Sequence, residues 1–171
     1  MARYYKYKRY YRKIYPRKRW ASNIFTENMI CTVLNGQTTA FAYTNICSNS
    51  LQSATPTPVI VKFGRCKVKG DVRTDLQNNN NYVSGSMFLV YVPEGYPIDL
   101  NLIRQHPEYI IGWTTISLDS GNTFSFSSSL KRNLNSGDKI MMFFNVNATN
   151  TTQNVRAFNF FYTIQYWTAS A

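Results

Sequence analysis

The chain has 171 residues, 44% of them hydrophobic and 16% aromatic, and a formal net charge of +11 at pH 7. This length suffices for one domain with a buried core, and the high aromatic content favours β structure. No apolar run approaches the roughly 18 residues of a membrane-spanning helix. No apolar segment follows the basic start, so we expect no secretory signal and synthesis inside a cell.

The positive charge is concentrated at the start of the chain. Residues 1–20 contain nine of the 19 basic side chains and no acidic one, so ten basic and eight acidic groups remain for the other residues. A nearly neutral body with a polycationic tail is typical of a tethered arm for a polyanion. We therefore expect a nucleic-acid-binding arm over residues 1–20 and one folded domain over residues 21–171.

The arm interleaves cations with aromatic rings. Lys and Arg neutralise phosphates without regard to sequence, and aromatic rings stack on unpaired bases, which favours single-stranded nucleic acid as the ligand. The candidate binding residues are Arg3, Tyr4, Tyr5, Lys6, Tyr7, Lys8, Arg9, Tyr10, Tyr11, Arg12, Lys13, Tyr15, Arg17, Lys18, Arg19 and Trp20. Self-repulsion predicts an extended or disordered arm until it binds.

Other roles for the arm remain open. It could be a merely solvated charged tail, although such tails rarely carry so many tyrosines. The cluster Pro16–Arg19 also fits a nuclear-localisation signal, which is compatible with nucleic-acid binding. Binding to a membrane surface is disfavoured, because the arm lacks the apolar stripe of an amphipathic anchor.

After the arm, eight runs of strand length alternate with turn residues. Asn35-Gly36 predicts a hairpin between the first two runs. Further turns are predicted at 119–122 and 135–138, and the only plausible helix is a short one at 98–107. The predicted strands are 23–34, 37–47, 59–73, 82–92, 109–118, 123–130, 139–147 and 155–168. This pattern indicates an all-β antiparallel sandwich or barrel, and we predict its eight-stranded form, the jelly roll.

The third predicted strand carries a basic stripe. Counting by twos places Arg65, Lys67, Lys69 and Arg73 on one face, and Cys66, Val68 and Val72 on the other. We interpret the first set as further nucleic-acid-binding residues that continue the arm. The alternative is an ordinary solvent-facing surface, since Asp71 interrupts the stripe.

The chain is poor in the residues that catalysis and metal binding require. It has a single histidine, His106, its eight acids are scattered, and no glycine loop for phosphate is present. We therefore expect neither an enzyme nor a cofactor or metal site. Cys31, Cys47 and Cys66 fit no zinc or redox spacing, and we expect them to be small, buried, reduced side chains.

Several segments resemble the coat proteins of circovirus-like, Rep-encoding circular single-stranded DNA viruses. They are 106–113 (HPEYIIGW), 124–126 (FSF) and 128–138 (SSLKRNLNSGD), together with the Met-Ala-Arg start that leads into the basic arm. The resemblance implies a jelly roll that assembles into a T=1 icosahedral shell of about sixty identical subunits. It also implies arms directed inward onto circular single-stranded DNA and nuclear import through the arm. The arm here is shorter and richer in Tyr than in typical circoviruses.

The leading hypothesis is therefore a structural capsid protein, located in the virion and, during assembly, in the host nucleus. Its expected partners are viral single-stranded DNA, further copies of itself, host nuclear import receptors and an unidentified cell-surface receptor, but no membrane. One alternative is a non-viral single-stranded nucleic-acid-binding β-barrel protein. Another is a lectin-like sandwich with an incidental basic tail, which would bind a small molecule independently of the arm.

Overall fold

The computed structural model describes residues 19–50, 60–74, 82–118, 122–148 and 155–170. These ranges contain nine strands, one short α-helix and one 3₁₀ turn over Pro107–Tyr109. The strands are β1 (Ala21–Val33), β2 (Thr39–Ser48), β3 (Val61–Thr74), β4 (Tyr82–Val92), β5 (Ile110–Ile116), β6 (Thr123–Ser128), β7 (Arg132–Leu134), β8 (Lys139–Ala148) and β9 (Arg156–Ser170), and the helix is α1 (Leu100–Gln105). Within the described ranges, no helix is long and apolar enough to cross a membrane.

The strands form two antiparallel sheets. The first sheet has the order β1-β9-β3-β6, with β7 beside one end of β3, and the second has the order β2-β8-β4-β5. Both sheets therefore interleave early and late strands of the chain, which is the strand order of a jelly roll. The predicted all-β jelly-roll sandwich is confirmed, with β7 as a short addition to the eight predicted strands.

The core lies between the inner faces of the two sheets. Phe144 of β8 faces Phe160 and Tyr162 of β9, with ring centroids 4.6 and 5.5 Å apart. All three side chains are almost completely buried. Along β9 buried side chains alternate with more exposed ones, as the two-residue period of a strand requires, whereas β8 is buried continuously from Ile140 to Phe144. Burial of these aromatic rings is a main source of the cohesion between the sheets.

The prediction of a hairpin at Asn35-Gly36 is wrong, although the turn itself is present. Gly36 has φ +79°, and Gln37 N–H donates to the carbonyl of Leu34 at 3.1 Å. However, β1 pairs along its whole length with β9, whereas β2 pairs with β8. The turn therefore carries the chain from one sheet to the other. The long ladders with distant strands bury more apolar surface than a local hairpin would, and they decide the pairing.

The helix predicted at 98–107 is confirmed in a shorter form. Asp99 caps α1 by accepting a hydrogen bond from Leu102 N–H at 2.9 Å, as an N-cap residue does. Leu102 and Ile103 pack with Met141 and Phe143 in a second apolar cluster. The helix thus covers part of the outer face of the second sheet.

The strand β7 was not predicted because three residues are too few to show a period.

The predicted turn at 135–138 is confirmed, and it anchors a buried carboxylate. Asp138 is 4% exposed. Its carboxylate accepts hydrogen bonds from the Tyr91 hydroxyl at 2.8 Å, from Glu94 N–H at 3.0 Å and from Asn135 N–H at 2.8 Å. Burial and the bond to Asp138 raise the pKa of Tyr91. This carboxylate joins the end of β4 to the turn before β8.

The three cysteines are free thiols, and two of them are buried as expected. Cys31 and Cys66 are each 1% exposed, whereas Cys47 is only half-buried. Burial raises the pKa of both Cys31 and Cys66 to about 11. At neutral pH these two thiols are therefore protonated and act as small apolar side chains in the core.

Candidate nucleic-acid interface

The basic stripe lies on the outer face of the first sheet. Arg65, Lys67, Lys69 and Arg73 are exposed, whereas the alternating residues Cys66, Val68 and Val72 are buried. The face assignment made from the two-residue period of β3 is therefore confirmed. The central position of β3, between β9 and β6, places these cations in the middle of the sheet rather than at its edge.

Neutral polar side chains surround the two lysines of the stripe. In the strand register, Lys67 lies between Gln165 of β9 and Ser127 of β6. Lys69 lies between Thr163 and Ser125 in the same two strands. Amide and hydroxyl groups of this kind bind phosphate and sugar oxygens in nucleic-acid complexes. The centre of this face combines positive charge with hydrogen-bonding groups of low sequence preference.

The stripe is not uniform along its length. At one end the Arg73 Nε donates to the Asp71 carboxylate at 3.1 Å, and the Arg73 guanidinium lies 5.1 Å from the ring centroid of Phe161. Arg73 is thus partly neutralised, as the interruption by Asp71 suggested. Among the described residues that strand alternation places on this outer face, Asp71 is the only acidic one. The remaining three cations, Arg65, Lys67 and Lys69, give the face its positive charge.

Trp20, the last residue of the predicted arm, lies on this same sheet. It packs against Gly64 of β3, and a Cβ atom at Gly64 would lie only 2.7 Å from Cζ3 of Trp20. A side chain at position 64 would therefore displace the indole ring. The described part of the arm thus reaches the body beside the basic stripe.

A cleft opens beside Trp20, at the end of the stripe opposite Arg73. The guanidinium of Arg65 lies over the indole of Trp167, with Cζ 4.2 Å from the ring centroid. Lys131 Nζ lies 5.7 Å from the ring centroid of Trp20. These residues, with Gly64 and Ser129, line a volume of about 370 Å³. Two indole rings and two cations therefore meet in one partly enclosed space.

The structure brings together only part of the predicted site. Arg65, Lys67, Lys69, Arg73 and Trp20 share one face, whereas the predicted arm residues from Arg3 to Lys18 lie outside the described residues. Sequence reasoning missed Lys131, Phe161 and Trp167. The two-residue period of the last strand would have placed Phe161 and Trp167 on one face. It gives no sign, however, that this strand lies next to β3, and Lys131 lies outside any strand.

The outer face of the second sheet has a different chemistry. Strand pairing aligns Tyr43, Phe143, Phe88 and Trp113 in one row across its four strands. Helix α1 packs over the centre of the row, where Phe143 is buried. Tyr43 at one end is 50% exposed and Trp113 at the other end is 60% exposed. We call these four residues the aromatic row. The outer face of the first sheet therefore carries a basic stripe, and the outer face of the second sheet carries a row of aromatic rings.

Comparison with solved structures finds viral proteins that are similar over most of the chain. A decameric BFDV capsid protein has 9% identity and a TM-score of 0.38, and the match covers 90% of this chain and 99% of that one. A 60-mer BFDV capsid protein has 8% identity and a TM-score of 0.41, with 91% and 95% covered. A structure of Desmodium yellow mottle tymovirus has 15% identity and a TM-score of 0.35, with 88% and 89% covered.

The jelly-roll assignment itself rests on the strand order. No protein-family model matches the chain, and a search of curated proteins finds no significant match.

Proposed function

We propose that this protein is a structural, non-catalytic coat subunit that assembles into a closed viral shell around single-stranded DNA. The observation that carries the proposal is the contrast between the two outer faces of the jelly roll. One face is basic and receives the end of the polycationic arm at Trp20, and the other is aromatic. In such a shell the basic face and the arm point inward, and the resemblance to circovirus-like coat proteins supports circular DNA as the cargo.

The charge distribution supports an inward basic face. A packaged genome is a dense polyanion, and cations that contact its phosphates release condensed counterions. Arg65, Lys67 and Lys69 lie on a sheet face that is nearly free of acidic side chains, so few negative charges repel the DNA phosphates. The arm adds nine cations. Its tyrosines add stacking on unpaired bases, which a duplex would not offer.

The exposed apolar side chains support assembly with further copies of the chain. A soluble protein rarely exposes large aromatic side chains in a contiguous patch unless that patch is an interface. Trp113 lies on the edge strand β5, beside a groove that also includes Leu130, which is 50% exposed. We expect contacts between subunits to form at this edge and at the opposite exposed end of the aromatic row, at Tyr43.

Electron microscopy of the purified full-length protein after nuclease treatment tests the proposal. We expect uniform small spherical shells that contain protected nucleic acid. The Trp113→Glu variant is expected to remain folded but to give dispersed subunits, because a charge at the contact would be desolvated on assembly. Small dispersed particles of the unaltered protein that bind single strands would contradict the coat role and favour a single-stranded nucleic-acid-binding protein.

The arm has a second proposed task in this scheme. Genome packaging in the host nucleus requires import of the newly made subunit, and the basic cluster Pro16–Arg19 has the composition that nuclear import receptors recognise. Import and DNA binding would then use the same cations at different times. The proposed locations are the host nucleus during assembly and the virion afterwards.

The contribution of the stripe can be separated from that of the arm by salt titration. Each phosphate contact to a single strand contributes about −0.7 to the slope of log K against log salt concentration. The double variant Lys67→Gln/Lys69→Gln is therefore expected to reduce the slope for a DNA oligonucleotide by about 1.4. Fluorescence anisotropy at several salt concentrations measures this slope.

Lys139→Gln is the matched control, because Lys139 belongs to β8 in the second sheet. Its slope should equal that of the unaltered protein. An unchanged slope for the double variant would show that the stripe is an ordinary solvent-facing surface.

A further inference from the structure

We propose that the cleft between Trp20, Arg65, Lys131 and Trp167 binds one unpaired nucleotide, with the base stacked in the cleft and the phosphate on its cations. This inference rests on the proposed function and adds a defined subsite for a base. We call it the tryptophan cleft. It differs from the rest of the face, where Lys67 and Lys69 contact phosphates and the polar neighbours favour no base.

The dimensions and lining of the tryptophan cleft fit a nucleotide. Its volume of about 370 Å³ lies at the lower end of the range of about 300–1,000 Å³ that is usual for small-ligand sites. Its lining consists of two indole rings, two cations, the Ser129 side chain and the bare backbone of Gly64. No acidic residue is among the lining residues, so a phosphate would meet no repulsion there.

The arrangement of Arg65 on Trp167 prepares a stacking platform. The guanidinium is planar and lies 4.2 Å from the indole centroid, so the indole restricts the positions that the guanidinium can adopt. A nucleobase is recognised in single strands by stacking on aromatic rings or on guanidinium planes. A base can therefore form the next layer on Arg65 or stack directly on an exposed part of an indole. Either mode accepts any base, which suits a protein that packages a whole genome.

Lys131 and Gly64 complete the site from different elements. Lys131 is exposed and lies between β6 and β7, and its Nζ is 5.7 Å from the Trp20 ring, where it can reach a phosphate next to a stacked base. Gly64 lets the indole of Trp20 lie directly against β3. Because Trp20 immediately precedes β1, a strand held by the arm would reach the tryptophan cleft before it reaches the lysines of the stripe.

Tryptophan fluorescence provides the test, because the chain has three tryptophans and only Trp113 lies outside the cleft. Full-length protein with Trp113→Phe retains Trp20 and Trp167 as its only indole emitters. We expect a short oligothymidine to quench this emission. An abasic oligomer with the same number of phosphates is expected to bind at least about 5- to 150-fold more weakly, the range that loss of the one base in the cleft produces, and loss of stacking on the arm tyrosines adds to it.

Two variants in this background assign the effect to the cleft. Trp167→Leu should reduce the preference for oligothymidine over the abasic oligomer by about 5- to 150-fold, and the preference that remains comes from stacking on the arm tyrosines. Arg65→Lys keeps the charge but loses the planar stack, and it should reduce the preference while leaving the salt dependence nearly unchanged. Phe161→Leu, on the same sheet face outside the cleft, is the matched control and should retain the preference. Thermal unfolding verifies that each variant is folded. If Trp167→Leu does not fold, the preference of Arg65→Lys for oligothymidine over the abasic oligomer tests the subsite instead.

The outcomes separate the subsite from the proposed function. Equal affinity for oligothymidine and the abasic oligomer would overturn the subsite, while salt-dependent binding of both would leave DNA packaging intact. An unchanged preference in both cleft variants would also overturn it, because the stacked base would then lie elsewhere. Failure of both oligomers to bind would contradict the proposed function as well.

Discussion

A variant that lacks residues 1–18 is expected to form the jelly roll and shells but to leave those shells nearly empty of DNA. The deleted segment contains eight of the 19 basic residues and six of the 13 tyrosines. Loss of eight phosphate contacts would lower the salt slope for a single strand by up to about 5 to 6. The core residues of the described chain begin at Met29, so the fold does not depend on the deleted segment for its core.

The ratio of absorbance at 260 and 280 nm in nuclease-treated shells measures this loss. A second variant, in which Gln replaces the eight cations while the tyrosines remain, separates charge from stacking. If charge dominates, this variant packages as little DNA as the deletion does. Packaging by the deletion variant at the level of the unaltered protein would refute the role of the arm and leave the basic stripe as the main DNA contact.

The Asp138→Ala variant is expected to lose about 3–5 kcal/mol of the free energy of unfolding, the largest stability effect we expect from a polar substitution. The buried carboxylate accepts three hydrogen bonds, from Tyr91, Glu94 and Asn135. Alanine would leave these donors without their acceptor and open a small cavity between β4 and the turn before β8. Urea unfolding of the dispersed Trp113→Glu subunit measures the change without interference from assembly.

Asp71→Ala is the matched control for this prediction. Asp71 also accepts a hydrogen bond, but its donor is the Arg73 side chain, which is 69% exposed, and the pair lies on the surface. Exposed ion pairs of this kind contribute about 0–1 kcal/mol to the free energy of unfolding. The urea concentration at the unfolding midpoint of this variant should therefore be close to that of the unaltered protein. A loss of similar size in both variants would show that the Asp138 network is not the source of the effect.

Much of the secondary structure and part of the candidate site could be predicted from the sequence. Local alternation in β3 places its cations on one face and its valines on the other, because successive side chains of a strand point to opposite sides. The turn at 135–138 follows from residues that accept its backbone geometry, and Gly137 has φ +85° there. The uneven distribution of charge also follows directly from the order of residues. These properties depend on neighbours within a few positions.

Only the tertiary structure decided which strands are neighbours. The Asn35-Gly36 turn is compatible with a hairpin, but β1 finds its partner in β9, so that Asn23 bonds to the Thr168 hydroxyl 145 positions later in the chain. The tryptophan cleft likewise needs β9 beside β3 to bring Trp167 under Arg65. Strand pairing is selected by the total apolar surface that the two completed sheets bury against each other. That sum depends on the whole chain at once, whereas the face of a residue in its strand is determined locally.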